Sequence, residues 1–232
     1  MKNQPLPARR SAFSLIELVV VIAIIAIIAT FTVPAATTIL RGSAITQASQ
    51  TLSDQISLAR QMALSKNRAV EVRFYQYADP EAPGETLTSP TTGQWRGIQL
   101  LEVLESGVAV PLDKAQPLPI SVVMNPGTTA AGTLSSLIKC AAPNTPKITA
   151  AAASDPELPR GVARKYNYVA FRFLQDGSTN LSPAQAGGWF VTIHNLNPPV
   201  DPSATKPPAN FFTLQIDPIT GSTRSYRPNV SG

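Results

Sequence analysis

The sequence predicts an α+β protein in which a long N-terminal helix precedes a mainly antiparallel β-sheet. Two observations predict this order. An apolar run near the N-terminus continues into apolar residues spaced three or four apart, which is the period of a helix face. After Asn67 the spacing changes to two, which is the period of a strand with one buried face. The 232 residues are enough to bury one substantial core.

Residues 1–12 form a basic leader that contains Lys2, Arg9 and Arg10 and no acidic residue. Since the leader holds three of the 19 basic residues, the excess over the 14 acidic residues falls from five to two in the rest of the chain. This small excess argues against a protein that binds nucleic acids chiefly by neutralising phosphates. One cysteine, Cys140, and one histidine, His194, exclude an intrachain disulfide framework and a zinc site built on paired histidines.

Residues 13–40 are predicted to be the transmembrane part of the N-terminal helix. Glu17 is the one charged residue in this stretch, and about 22 helical residues span about 33 Å, enough to cross the hydrocarbon core of a bilayer. The basic leader predicts a cytoplasmic N-terminus and an outward-facing remainder. The alternative is a secretory signal peptide, although its apolar centre is usually shorter and does not begin with a carboxylate.

Glu17 is informative because a carboxylate in an apolar segment normally has a partner or a function. Cleavage between Ala12 and Phe13 would create an amino group one helical turn before Glu17, at a spacing that brings opposite charges together. The same amine of a neighbouring chain could fill this role during assembly. The alternative is that Glu17 is solvated at the level of the lipid headgroups.

The segment 9–26 resembles the N-terminal signal of type IV pilins and type II secretion pseudopilins. The resemblance implies that a prepilin peptidase cuts between Ala12 and Phe13 and methylates Phe13, and that Glu17 acts in assembly. The family usually has Gly before the cut, where this sequence has Ala12. The resemblance also implies a single-pass protein of the bacterial inner membrane with a periplasmic globular domain. Its implied partners are other pseudopilins or pilins and the inner-membrane secretion platform.

Residues 41–67 are predicted to continue as an amphipathic helix, and residues 68–232 to form a β-rich globular domain. The predicted buried stripe of the helix consists of Ile45, Ala48, Leu52, Ile56, Ala59 and Ala63. We expect this stripe to pack on the sheet. The strands are predicted at 70–77, 96–104, 118–124, 168–174, 189–194, 211–216 and 222–226. Two segments rich in Pro, Ala, Thr and Ser, 125–161 and 196–210, are predicted to be long surface loops.

The globular part carries a second resemblance. Segment 171–179, the strand at 189–193 and the C-terminal hairpin are similar to the body of pseudopilin H and FimT-type minor pilins. Segments 40–43, 65–68 and 70–81 are similar to the Verru_Chthon cassette protein D group of the same superfamily. These resemblances imply a pilin-like fold and a structural minor pseudopilin, assembled into a type II secretion or type IV pilus-like filament, rather than an enzyme.

A nucleic-acid contact is an alternative interpretation of the basic residues near Tyr166, Tyr168 and the C-terminus. Basic groups between aromatic rings can bind single strands. A solvated basic edge that prevents sheet aggregation is the favoured interpretation. The alternative function is therefore a DNA-binding minor pilin of an uptake pilus. The candidate contacts are Arg160, Arg164, Lys165, Arg224 and Arg227.

A membrane-tethered exported enzyme is a second alternative. It requires a nucleophile near His194, and the spacing of the sequence nominates none. Cys140 is expected to be an unreactive thiol. Asp176 and Asp217 lie beside turn glycines and are predicted to cap turns rather than to bind calcium. The sequence therefore predicts no catalytic residues, no metal site and no cofactor.

Overall fold

The protein divides into two compact units, Met1–Leu40 and Arg41–Gly232, in a computed structural model. Seven residues discussed above lie outside the part of the chain that the structure describes: Lys2, Arg9, Arg10, Ala12, Phe13, Cys140 and Arg160. The side chains of 31–39, 128–129 and 132–133 are also not described. The described residues are 14–82, 85–86, 93–129, 132–138, 147–159, 161–196, 208 and 210–228.

Helix α1 extends from Leu15 to Lys66. In the first unit its described side chains, residues 15–30 and Leu40, are all exposed. In the described part of the chain, no helix is both long enough and apolar enough to span a membrane. The transmembrane assignment of residues 13–40 stays a prediction.

In the second unit, α1 contributes one face to the core. All six residues of the predicted stripe, from Ile45 to Ala63, have no exposed surface and belong to one cluster with the inner face of the sheet. Burial of each Leu or Ile side chain stabilises the folded state by about 1.5 to 3 kcal/mol relative to an exposed side chain. The helix is therefore attached to the sheet chiefly by apolar packing.

The sheet is antiparallel in every pairing that the described residues make, so the predicted α+β class with a mainly antiparallel sheet is confirmed. Its order is β12-β11-β10-β5-β2-β1-β9-β8, with β3 and β4 also paired to β2, while β6 and β7 form a separate hairpin. The strands are β1 Val70–Tyr77, β2 Gln94–Val103, β3 Ala109–Pro111, β4 Gln116–Pro117, β5 Val122–Met124, β6 Thr128–Thr129, β7 Gly132–Thr133, β8 Thr149–Ala150, β9 Asn167–Phe173, β10 Trp189–Asn195, β11 Phe211–Ile216 and β12 Thr223–Tyr226.

Register keeps the apolar residues of neighbouring strands on one face. Val72 lies opposite Leu100 on one side and Phe171 on the other, and all three are buried in the main core. Because side chains alternate between the two faces of a strand, a shift of one residue would move this set to the outer face. The period of two in the sequence thus specifies which face contacts α1.

The structure differs from the predicted surface loop at 125–161. Leu134, Leu137 and Ile138 are buried, because residues 134–138 lie beside the first half of β10 and hydrogen-bond to its backbone. The Leu137 amide donates to the Phe190 carbonyl at 3.1 Å, and the Phe190 amide donates to Ser136 Oγ at 2.8 Å. This segment supplies β10 with hydrogen bonds on the side away from β11, where β5 pairs with residues 193–195 alone.

A second apolar cluster covers the outer face of the sheet. Tyr75 and Tyr77 of β1 pack there against Leu158, Val162 and Tyr166. The chain between β8 and β9 therefore forms a partial second layer over β1. Of the other predicted loop, 196–210, residues 196, 208 and 210 are described.

Candidate functional site

The N-terminal site is built on the first turn of α1. Its helical hydrogen bonding begins with the Leu18 amide, which donates to the Ser14 carbonyl at 3.1 Å. Glu17 lies in the first turn and is exposed. A carboxylate at this position interacts favourably with the unpaired amide groups of a helix N-terminus. The predicted cleavage site, Ala12 and Phe13, lies outside the described residues.

The surface around Glu17 is almost entirely apolar. Leu15 is 81% exposed and Ile16 is 71% exposed, and large apolar side chains continue exposed to Ile28. Continuous apolar surfaces of this kind mark contacts with other proteins or with membranes. The site therefore combines one carboxylate with several turns of helix that can pack against apolar partners.

Residues 7–33 match the prokaryotic N-terminal methylation motif. The chain carries a pilin-type processing signal. The match includes Ala12, Phe13 and Glu17, and it indicates a protein of the type IV pilin-like or pseudopilin kind. Proteins of this kind are structural, and the motif implies processing by prepilin peptidase, pilin-type assembly and membrane anchoring before processing. Comparison with curated proteins and comparison with solved structures each gave no match.

The structure does not bring the described basic candidates together. Arg164 and Lys165 precede β9, whereas Arg224 belongs to β12 and Arg227 follows it. Five strands lie between β9 and β12 in the sheet. The six inter-strand spacings correspond to roughly 29 Å at about 4.8 Å each. The basic residues therefore form two separate groups.

Two of these basic residues already have hydrogen-bond partners within the chain. Arg164 donates to Glu157 Oε1 at 2.7 Å and to the Asp155 carbonyl at 2.8 Å. Arg227 donates to Thr46 Oγ1 on α1 at 3.0 Å. Both arginines thus have contacts that fix the local structure without a nucleic acid.

His194 has a structural environment. It is 3% exposed, and Asn125 Nδ2 lies 2.8 Å from its Nε2, while the Asn195 carbonyl lies 2.5 Å from its Nδ1. The side-chain nitrogen of Asn125 can only donate, and the carbonyl of Asn195 can only accept. Nε2 of His194 therefore accepts, and its Nδ1 carries the proton. Burial lowers the pKa of His194, against a smaller opposite effect of its hydrogen bond to Asn195. Both ring nitrogens are therefore engaged.

Asp176 and Asp217 cap turns, as predicted. Asp176 Oδ1 accepts hydrogen bonds from the hydroxyl and the amide of Ser178, which lower the pKa of Asp176. Asp217 Oδ1 accepts from the amides of Ile219 and Thr220, and these bonds lower the pKa of Asp217. Within the described ranges, no group of three or more His, Cys, Asp or Glu side chains could hold a metal ion.

A buried ionic network on the outer face of β1 and β9 was not foreseen from the sequence. Arg73, 6% exposed, donates to Glu71 Oε1 at 2.6 Å and to Asp155 Oδ1 at 2.9 Å. Its guanidinium carbon lies 4.2 Å from the centre of the Tyr168 ring. Arg172 of β9 donates to the second oxygen of Glu71 at 2.9 Å. The network joins the two strands to the segment that contains Asp155.

The electrostatics of this network favour the ionised form of Arg73. Burial alone would lower the pKa of Arg73, but the hydrogen bond and charge of Glu71 and the hydrogen bond of Asp155 outweigh it and raise the pKa. Burial raises the pKa of the neighbouring Tyr75 and Tyr166 phenols, which stay protonated. The alternation of charged and apolar residues in β1 placed Glu71 and Arg73 away from the main core, but nothing in that pattern indicated a second layer.

A groove lies on the outer face of β10–β12, with a volume of about 290 Å³. Sequence reasoning singled out Arg224 among its lining residues but could not detect the groove, which forms only when the three strands pair. On the same face, the Tyr226 ring lies 6.0 Å from the ring of Phe211. The groove is lined by Gly187, Phe190, Thr213, Gln215, Arg224, Ser225 and Tyr226.

Proposed function

We propose that this chain is a structural minor pseudopilin of a type II secretion or type IV pilus-like assembly. The observation that carries the proposal is the methylation motif at residues 7–33, which includes the start of the long helix Leu15–Lys66. The antiparallel sheet packed on the second part of that helix supports it. The proposal includes the resemblance of this chain to pseudopilin H, to FimT-type minor pilins and to the Verru_Chthon cassette protein D group.

In the proposed pathway, the chain inserts into the bacterial inner membrane as a single-pass protein. The basic leader keeps the N-terminus cytoplasmic, and the β-rich domain lies outside the cytoplasm. Prepilin peptidase cuts between Ala12 and Phe13 and methylates the new amino group of Phe13. The small Ala12 side chain takes the position that Gly has in most of the family.

The proposed role of Glu17 is to align subunits during assembly. An uncompensated carboxylate within a membrane costs about 2.5 to 3.5 kcal/mol on insertion scales. Pairing with the N-terminal amine of a neighbouring subunit would remove much of this cost at one axial position only. The exposed apolar surface from Leu15 to Ile28 would then pack against other pseudopilins, with the secretion platform supplying the assembly machinery.

Replacement of Glu17 tests the assembly step. We expect Glu17→Gln to be cleaved normally but to be depleted at least about tenfold from sheared filaments, since one unmatched charge costs more than 1.4 kcal/mol. The measurement is quantitative immunoblotting of filament and membrane fractions in the host. Glu105→Gln is the matched control, because its carboxylate is 93% exposed. Incorporation of Glu17→Gln at the wild-type level would overturn the proposed role of Glu17.

A DNA-binding minor pilin remains the less favoured alternative. The described basic candidates lie in two groups, and both Arg164 and Arg227 are engaged by neighbouring residues. The placement of these described residues therefore does not support a compact basic groove that could follow a nucleic-acid backbone.

A further inference from the structure

Strand β12, Thr223–Tyr226, ends the sheet and pairs with β11. The Asp217 amide donates to the Ser222 carbonyl at 2.9 Å, so these two residues form a hydrogen-bonded pair. Hydrogen-bonded and non-hydrogen-bonded pairs alternate along an antiparallel ladder. The next hydrogen-bonded pairs are therefore Gln215 with Arg224 and Thr213 with Tyr226.

This alternation directs the backbone groups of Thr223 and Ser225 away from β11. No residue in the described ranges hydrogen-bonds to these outward amides and carbonyls. Ser225 is exposed, so its edge position is accessible. An edge with free donors and acceptors at strand spacing is a template for pairing with another extended chain.

The groove of about 290 Å³ adjoins this edge. A strand added to β12 would place every second side chain on the outer face, next to Arg224 and Tyr226. Arg224 is exposed, and its guanidinium has no hydrogen bond or ion pair with the residues that the structure describes. It acts on Asp217 only through its charge, which lowers the pKa of that carboxyl as a minor contribution beside the turn hydrogen bonds. An acidic side chain in the groove would give Arg224 a direct partner.

We propose that the β12 edge and the adjoining groove bind an extended acidic segment of a partner protein by strand addition. The partner's backbone pairs with Thr223 and Ser225, and one of its carboxylates contacts Arg224. A peptide backbone matches the alternating donors and acceptors of the edge, which the phosphates of a nucleic acid do not. A second copy paired through β12 would bring Arg224 near its own counterpart, and like charges across strands are destabilising. The proposal does not depend on cleavage or filament assembly.

The test is selection from a phage-displayed library of random nonapeptides on the full chain held in detergent micelles. We expect enriched peptides to carry Asp or Glu at alternate positions. Their binding should fall at least about tenfold on Ser225→Pro and stay unchanged on Ser225→Ala. Proline removes an outward amide that the internal ladder does not use, so the fold of an edge strand should tolerate it. Thermal unfolding of both variants checks this point.

Two further measurements keep the test independent of how Ser225→Pro folds. A selected peptide whose edge-facing amides are N-methylated should bind the wild-type chain at least about tenfold more weakly than its parent. Arg224→Gln should abolish the preference for that peptide over its Glu→Gln version, whereas Arg227→Gln should keep it.

Four results would overturn the proposal. The first is a library that yields no peptide enriched over empty micelles. The second is equal binding of the N-methylated and the parent peptide, which would exclude strand addition. The third is displacement of the peptide by a single-stranded DNA oligonucleotide at equal concentration, which would make this a nucleic-acid surface. Concentration-dependent dimerisation that Ser225→Pro abolishes would assign the edge to a second copy and would also contradict it.

Discussion

At the scale of single residues, His194 gives the clearest dependence on solution conditions. Its Nε2 faces the donating amide of Asn125 at 2.8 Å, so protonation would place two donors against each other in a buried site. Burial lowers the pKa of His194 in the folded protein, whereas the unfolded chain titrates near 6.5. The unfolded state therefore binds the proton first as the pH falls.

We predict that the contribution of His194 to the free energy of unfolding holds constant above about pH 6.5 and decreases as the pH falls below it. The measurement is urea unfolding of the full-length protein at about pH 7.5 and about pH 5. His194→Gln should lose most of this decrease. Since His194 is the one histidine in the sequence, no other imidazole contributes. An equal decrease in the variant would show that His194 is not the group responsible.

Residue chemistry was only partly predictable. The turn-capping roles of Asp176 and Asp217 follow from local sequence, because each carboxylate bonds to amides two or three residues ahead. The network of Arg73 with Glu71 and Asp155 was not predictable, since Arg73 and Asp155 are 82 positions apart in sequence. Their contact depends on how the segment between β8 and β9 folds back over the sheet.

At the scale of elements, two turns meet beside α1. Gly177 and Gly221 both have positive φ, and Arg60 Nε donates to the Gly177 carbonyl at 3.3 Å. A Cβ added at Gly221 would lie 2.0 Å from that carbonyl oxygen and 3.2 Å from Arg60 Nε. The backbone of both turns must therefore approach more closely than any side chain allows.

We predict that Gly221→Ala lowers the free energy of unfolding by about 2 to 5 kcal/mol. This range combines about 1 to 2 kcal/mol of backbone strain with about 1 to 3 kcal/mol of overpacking. Gly107→Ala is the matched control, because Gly107 has a φ of 82° but no atom within 4 Å of an added Cβ. Gly107→Ala should lower the free energy of unfolding by the backbone-strain contribution alone. Equal losses in chemical denaturation of the two variants would contradict the proposed contact.

The helix gives a second prediction at this scale. Leu52 has no exposed surface and lies in the core between α1 and the sheet. Leu52→Ala should lower the free energy of unfolding by about 2 to 5 kcal/mol through lost burial and a residual cavity. Asp54→Ala, on the exposed side of the same turn, should change it by less than about 0.5 kcal/mol. Similar small effects in both variants would mean that the stripe does not hold the helix on the sheet.

At the scale of the whole molecule, the fold class and the approximate strand positions could be predicted from the sequence. The change of period after Asn67 separated helix from sheet, and each predicted strand overlaps an observed one. What could not be predicted was long-range pairing. The burial of Leu137 depends on hydrogen bonds between its segment and β10, and the groove depends on the pairing of β10, β11 and β12. Neither leaves a periodic signal in its own segment.

The N-terminal motif was predictable because its signal lies in one short stretch of sequence. Cleavage position, carboxylate and apolar run all lie within residues 7–33, which match the methylation motif. The proposed recognition of this segment by a peptidase and by neighbouring helices would need no assembly of distant parts of the chain. The proposed partner surface of the globular domain, in contrast, forms only when the sheet folds.

The most direct test of the proposed function is the N-terminal mass of the protein recovered from membranes, with prepilin peptidase present and with it deleted. We expect a chain that begins at methylated Phe13 when the peptidase is present and an intact leader when it is absent. Retention of Met1 in both strains, or cleavage after the apolar run, would contradict the assignment of this chain as a processed pseudopilin.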